Sequence, residues 1–236
     1  MIYKSPCKIN LFLHIIGKKD DGYHELESIF YYPEIYDEIE LIEAKEGEKF
    51  GDLAENRLEI IGTFTGELKD NLKDNIILKA YSLLKILFSD KIPDIRFVLN
   101  KKMPIASGIG GGSSNAATIL VALNYKYELG LNKSQLRKIG LRLGADVPPL
   151  IDPRPAFVEG VGDSITELND FPELHVLLVN PLKPVSTKAI FKKGFEEFSK
   201  PIEKDFRFLK MQSFINFIEE TKNDLEKNAV EECPEI

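Results

Sequence analysis

The sequence predicts a fold of mixed strands and helices, and three patterns predict it. Residues 5–16 alternate about one lysine, with Ile9, Leu11, Leu13 and Ile15 on one face and Lys8, Asn10, Phe12 and His14 on the other, which is the period of a strand. Residues 75–88 are apolar at helical spacing. Residues 95–129 read as a strand, a glycine-rich loop and a helix: residues 95–99 alternate, four of the five residues 108–112 are glycine, and Ala116, Ile119, Leu120, Leu123 and Tyr127 return to the helical period.

The remaining elements follow in order. After the first strand, residues 17–24 form a polar turn ending in Tyr23 and His24, and residues 26–32 and 37–43 resume strands. Tyr23 and His24 fit two roles equally: packing and capping after a turn, or stacking on a flat ring and hydrogen bonding its edge. Residues 57–62 and Phe64 read as short strands, and the helix over 75–88 has Asp74 or Asn75 near its cap. The helix after the glycine loop runs from Ser113 to about Leu129, and a further helix over 131–143 opens at Asn132 or Ser134. Asp146 sits between small residues and a proline, so no regular element continues through it; it is a turn residue or a carboxylate held by a rigid turn. Residues 156–162 are a strand and turn, 175–180 a buried strand, 186–191 the start of a helix, and helices fill the rest. His14 and His175 lie inside strand patterns and read as structural. Lys8 is either a solvent-facing strand lysine or a fixed positive charge beside the loop.

The loop itself, Pro104-Ile-Ala-Ser-Gly-Ile-Gly-Gly-Gly-Ser-Ser-Asn-Ala-Ala117, carries the chemistry. Glycine supplies the left-handed backbone that turns several N–H groups into one concavity, and a helix N-terminus adds unpaired donors and a positive partial charge. Together they make a phosphate cradle. No lysine follows the glycines as a Walker loop requires, and Ser113 stands where a dinucleotide-binding fingerprint needs a third Gly or Ala. The H-R-D and D-F-G signatures of protein kinases are absent from the sequence. The plain alternative is a hinge before a helix capped by Ser113, but a hinge has no need of three consecutive glycines followed by Ser-Ser-Asn.

Composition excludes several classes. The 236 residues suffice for one large domain or two small ones, and the net charge of −7 argues against a nucleic-acid surface. No apolar run reaches membrane-spanning length, and the first residues already read as strand rather than signal peptide. Cys7 and Cys233, far apart, suggest a reducing cytoplasm with neither a disulfide framework nor a zinc site.

In their order, these stretches resemble the GHMP small-molecule kinases. The glycine loop with Ser-Ser-Asn-Ala-Ala is similar to that family's second motif. Pro6-Cys-Lys-Ile-Asn-Leu-Phe-Leu13 with Asp21-Gly-Tyr-His24, Leu143-Gly-Ala-Asp-Val-Pro148, and Phe157-Val-Glu-Gly-Val-Gly162 are similar to one branch of it. That branch phosphorylates an alcohol carrying a cytidine diphosphate group in non-mevalonate isoprenoid synthesis. The match runs over residues 6–192.

The resemblance implies a two-domain α+β fold. A ribosomal-protein-S5-domain-2-like ATP domain would cover residues 1–160, and a smaller, shortened α+β domain 161–236. It implies ATP and Mg²⁺ as cofactors, a small-molecule substrate, and no nucleic-acid or membrane partner, in a cytoplasmic monomer or homodimer. Lys8 and Asp146 would match the catalytic pair. Pro104, Ile105, Ala106, Ser107, Gly108, Ile109, Gly110, Gly111, Gly112, Ser113 and Ser114 would hold the nucleotide, with Asn75, Ile77 and Lys101 near the adenine. Tyr23 and His24 would grip the cytosine, Phe191 would stack on its other side with Thr187 and Lys192 close by, and Asn10 would touch substrate. Ser113 or Ser114 would reach the metal.

Three departures accompany the resemblance. Cys7 replaces the family's usual alanine. Residues 146–150 replace a phenylalanine-rich continuation, so the backbone after Asp146 is expected to differ. The chain also stops before the family's third glycine-serine motif, so a sheet edge is expected to lie open unless another segment covers it. Two other readings stand beside this one: a GHMP kinase acting on homoserine or mevalonate, and a nucleotide-binding remnant without turnover.

Overall fold

A computed structural model describes residues 1–204, 206, 208 and 210–236, apart from the side chains of Glu67 and Lys188. The strand expected over residues 5–16 is in fact two, β1 (Ile2–Pro6) and β2 (Ile9–Lys18), and they join different sheets. The break falls just after Pro6, which has no N–H to continue a ladder. Cys7 N–H donates to Ile35 O at 2.8 Å and Lys8 N–H to Ile109 O at 2.9 Å, so both amides turn away from the strand.

The chain forms two compact units. The first comprises Met1–Cys7, Glu34–Ile105 and Gly110–Asp152. Its sheet has the order β1-β4-β6-β5, with β4 Tyr36–Glu43, β5 Leu58–Gly62 and β6 Ile95–Lys101. β5 and β6 are parallel and the other pairs antiparallel. A parallel pair needs a crossover, and helix α2 (Ile76–Leu87) lies between them in the chain, after the short α1 (Ala54–Arg57). Helices α3 (Gly111–Lys126) and α4 (Lys133–Leu141) complete the unit. The core joins Ile39, Leu41, Ile60, Phe97 and Leu99 of the sheet to Ile77 and Leu84 of α2 and Ile119, Leu120 and Leu123 of α3, all buried. Phe64 is not in a strand; only its N–H reaches the sheet, at Lys101 O, 3.2 Å away. Asn132 opens α4 through a capping box with Gln135, as its residue type predicts.

The second unit comprises Lys8–Pro33, Ala106–Ile109 and Pro153–Ile236. Its antiparallel sheet has the order β2-β3-β7-β8, with β3 His24–Tyr31, β7 Ala156–Gly160 and β8 Ser164–Glu167. Helices α5 (Thr187–Lys192), α6 (Met211–Glu219) and α7 (Glu226–Glu232) follow. Two register shifts along β2 break its alternation, so Phe12, Leu13, His14 and Ile15 are all buried in succession. The core here is phenylalanine-rich: Phe12, Phe157, Phe208 and Phe214 are buried, with Phe171, Phe206 and Phe217 packed on them.

The edge of β2 is covered by residues 222–224. Leu13 N–H donates to Lys222 O (3.0 Å), Asp224 N–H donates to Leu13 O (2.8 Å), and Asp224 Oδ2 accepts from Ile15 N–H (2.7 Å). His14 is structural, as expected: its Nε2 accepts from Lys222 N–H at 3.3 Å. The strand expected over 175–180 is not one. The segment, His175 included, is outside any sheet and alternates between exposed and half-buried, with Leu177 and Val179 each 86% exposed. Its apolar run suits a strand, but without a neighbour to take its N–H and C=O groups the backbone forms no ladder.

Both cysteines are free and buried, and burial pushes the Cys7 thiol up to about 11. Among the described residues, no group of three or more His, Cys, Asp or Glu is placed to hold a metal ion, and no helix is long and apolar enough to cross a membrane.

Candidate functional site

Between β6 and α3 the chain adopts a left-handed backbone at every second residue: Ala106 (φ 51°), Gly108 (φ 74°) and Gly110 (φ 70°). Such alternation turns successive N–H groups to one side and makes an anion nest. Ala106 lacks glycine's freedom, so holding it there costs on the order of 1 kcal/mol, a strain of the kind that collects at ligand sites. The nest ends at α3, whose N-cap is Gly110 rather than the expected Ser113. No side chain caps this helix, so its first-turn amides stay available to an anion.

The three consecutive glycines have three different reasons. Gly110 needs its positive φ. Gly111 needs close approach: a Cβ there would lie 3.2 Å from Lys101 Nζ and 3.5 Å from Met103 Cε. Gly112 needs neither, since its φ is not in the left-handed range and a Cβ would meet nothing within 4 Å. The open space beside Gly112 fits a phosphate drawing close to the backbone. Gly112→Ala is therefore expected to weaken ATP binding while stability stays level or rises by about 0.5–1 kcal/mol; a titration and a thermal melt check both.

The Ser-Ser-Asn run divides its work. Ser114 and Asn115 are buried, with Ser5 Oγ 2.9 Å from Ser114 Oγ and 2.7 Å from Asn115 Oδ1, so these two anchor α3 on β1. Ser113 is left half-exposed in the first turn. Of the two hydroxyls offered to a metal, only that of Ser113 faces a position where one fits.

Three residues expected near the adenine have other work. Ile77 is fully buried core. Asn75 caps α2, its Oδ1 accepting from Ile77 N–H at 3.0 Å. Lys101 is 3% exposed, because the alternation that buries Ile95, Phe97 and Leu99 places it on the same inner face. Its Nζ donates to Asp37 Oδ2 at 2.6 Å. Burial lowers the Lys101 pKa, opposed by the Asp37 carboxylate. Asp37 escaped the sequence reading, yet a signal was there: it is in phase with Ile39 and Leu41, so any strand that buries them buries a carboxylate.

Lys8 is 6% exposed, which removes the solvent-facing reading. Its backbone N–H binds the loop at Ile109 O, and its Nζ donates to Asn10 Oδ1 (2.8 Å) and lies 4.5 Å from the centre of the Phe30 ring. Asn10 Nδ2 in turn donates to Ser28 Oγ (2.8 Å), which donates to Phe12 O (2.5 Å). The ammonium is thus held by a chain of polar contacts inside the second unit. In the first unit, Asp146 is half-buried in a turn after α4. Val147 fixes that turn, being fully buried where a Cβ on Gly140 would come within 2.9 Å of its Cγ1.

The second unit also holds an aromatic group. His24 lies 5.3 Å from Phe191 and 5.1 Å from Phe195, and Phe191 and Phe195 are 6.0 Å apart, centre to centre. Phe195 was not foreseen, since it lies beyond the α5 pattern. Tyr23 is 62% exposed at the start of β3, and Thr187 and Lys192 are exposed on α5. Burial, with the Lys18 charge second, lowers the His24 pKa, so at neutral pH the ring offers one donor and one acceptor.

A family model described as "GHMP kinases N terminal domain" matches residues 75–152. A protein of Chelativorans sp. (strain BNC1) named 4-diphosphocytidyl-2-C-methyl-D-erythritol kinase is 35% identical over 98% of this chain and 76% of its own length. One of the same name from Acinetobacter baylyi is 41% identical over 79% of this chain, which spans 62% of that relative. A crystal structure of 4-(cytidine 5'-diphospho)-2C-methyl-D-erythritol kinase aligns with a TM-score of 0.69 at 25% identity, covering 100% of this chain and 79% of that one.

Proposed function

Because this chain belongs to the 4-diphosphocytidyl-2-C-methyl-D-erythritol kinase family, we propose that it transfers the γ-phosphoryl group of ATP to a hydroxyl of 4-diphosphocytidyl-2-C-methyl-D-erythritol. The observation that carries this reading is the alternating left-handed backbone of residues 106–110, running into an uncapped helix start and tied at Ile109 to the backbone of Lys8.

The roles follow from the chemistry. Phosphoryl transfer needs positioning and charge stabilisation more than covalent help. The loop amides and the α3 terminus bind the phosphates. Asp146 accepts the proton of the attacking hydroxyl, whose oxygen forms the new bond to the γ-phosphorus as the bond to the β–γ bridging oxygen breaks and ADP leaves. Lys8 stabilises the charge that develops on the transferring group. Mg²⁺ bound to ATP neutralises phosphate charge, and because it takes most of its ligands from phosphates and water, one side-chain oxygen such as that of Ser113 suits it. His24, with Phe191 and Phe195, offers a flat-ring site, with Tyr23 as its exposed face and Asn10 as a contact to the alcohol part.

Tyr23→Ala is expected to raise the KM for the cytidine substrate about 5–150-fold, the worth of one stacked base, with the KM for ATP unmoved. An unchanged substrate KM would reduce Tyr23 to surface packing.

A coupled ADP-release assay tests the substrate assignment. ADP is expected with the cytidine-bearing alcohol and not with homoserine or mevalonate. Release with either of the latter rejects this substrate, and ATP binding without release from any of the three favours the remnant reading.

A further inference from the structure

We propose that the buried Asp37–Lys101 pair is a positioning device for the nucleotide loop, holding both of its ends in register; this rests on the nucleotide reading above. One carboxylate does two jobs. Asp37 Oδ2 accepts from Lys101 Nζ at 2.6 Å, while Oδ1 accepts from the backbone N–H of Lys102 at 2.8 Å and of Met103 at 2.9 Å. Those two amides immediately precede Pro104, where the loop begins. At the far end, Gly111 lies against the same pair: its missing Cβ would stand 3.2 Å from Lys101 Nζ and 3.9 Å from Asp37 Oδ2. The leading and trailing ends of the loop thus meet one buried ion pair, whose side chains are 0% (Asp37) and 4% (Lys101) exposed.

The arrangement is costly as a mere stabiliser. A buried ion pair is often no better for stability than apolar residues of the same volume, because both charges lose water. What apolar residues would not supply is an acceptor for the Lys102 and Met103 amides, and with it a fixed direction for the chain entering the loop. Lys101, on this account, touches no nucleotide; it keeps the Asp37 carboxylate in place.

The test separates the acceptor from the charges. In Asp37→Asn/Lys101→Met both charges go and an oxygen acceptor stays; in Asp37→Leu/Lys101→Met the acceptor goes too. In the full chain, the first double variant is expected to keep its KM for ATP near the wild-type value. The second is expected to raise it roughly tenfold, the effect of losing two backbone hydrogen bonds, with the KM for the alcohol substrate unmoved. Equal ATP KM values in the two variants would overturn the proposal, leaving the pair a plain core contact. Should the Leu/Met variant not fold, amide hydrogen exchange of the Asn/Met variant decides. Protected Lys102 and Met103 amides with ATP affinity kept support the proposal; protected amides with affinity lost overturn it, since charge and not position would then matter. Direct ATP titration of the unchanged chain separates the two levels: no binding there removes the nucleotide reading itself, whereas binding that the variants share equally removes only the positioning role.

Discussion

Asp146→Asn is expected to lower turnover by about 10²–10⁴-fold, the worth of a general base, while ATP affinity stays near its wild-type value. The substitution is isosteric, and the turn that carries Asp146 is held by its neighbours: Val147 is fully buried and packs where Gly140 leaves room. The variant should therefore fold as the parent does, and single-turnover kinetics with a parallel ATP titration would assign the loss to chemistry. Wild-type turnover would take Asp146 out of the mechanism.

Lys8→Met is expected to reduce kcat by about 10²–10³-fold, the usual loss when one preorganised donor to a developing charge is removed. Methionine keeps most of the aliphatic stem, and the backbone bond from residue 8 to Ile109 O does not depend on the side chain. The loop should thus keep its shape, and a melt should show little change beyond the lost hydrogen bond to Asn10 Oδ1. A kcat within twofold of the parent would assign Lys8 to packing over Phe30.

Local features were legible in the sequence. The capping box at Asn132 and the glycine nest depend on a few adjacent residues, and both stand where the residue types placed them. Features set by distant partners were not. The α3 cap moved from Ser113 to Gly110, because a left-handed glycine starts the helix and the next serine is drawn inward by Ser5. The first strand divided at Cys7 and Lys8, because their amides are taken by Ile35 and Ile109, far along the chain. Residues 175–180 have the composition of a buried strand, but composition does not supply a neighbouring strand.

The candidate site follows the same division. The phosphate loop was visible, and Tyr23, His24 and Phe191 were named through resemblance, with His24 and Phe191 now in contact and Phe195 added. Lys101 was assigned to the nucleotide because nothing in its own neighbourhood announces Asp37, 64 positions away. Only phase along β4 and β6 reveals both charges as inward-facing. Ile77 was misplaced for the converse reason: closeness to the Asn75 cap said nothing about which side of α2 it occupies.

The central claim is that main-chain amides of the loop and of the α3 first turn grip the triphosphate. Amide chemical shifts of the full chain, recorded with and without MgATP, test it most directly. The Gly108, Gly110, Gly111, Gly112 and Ser113 signals are expected to move together, saturating with the ATP affinity. Saturable ATP binding that leaves these amides where they were, and moves others instead, would contradict the account.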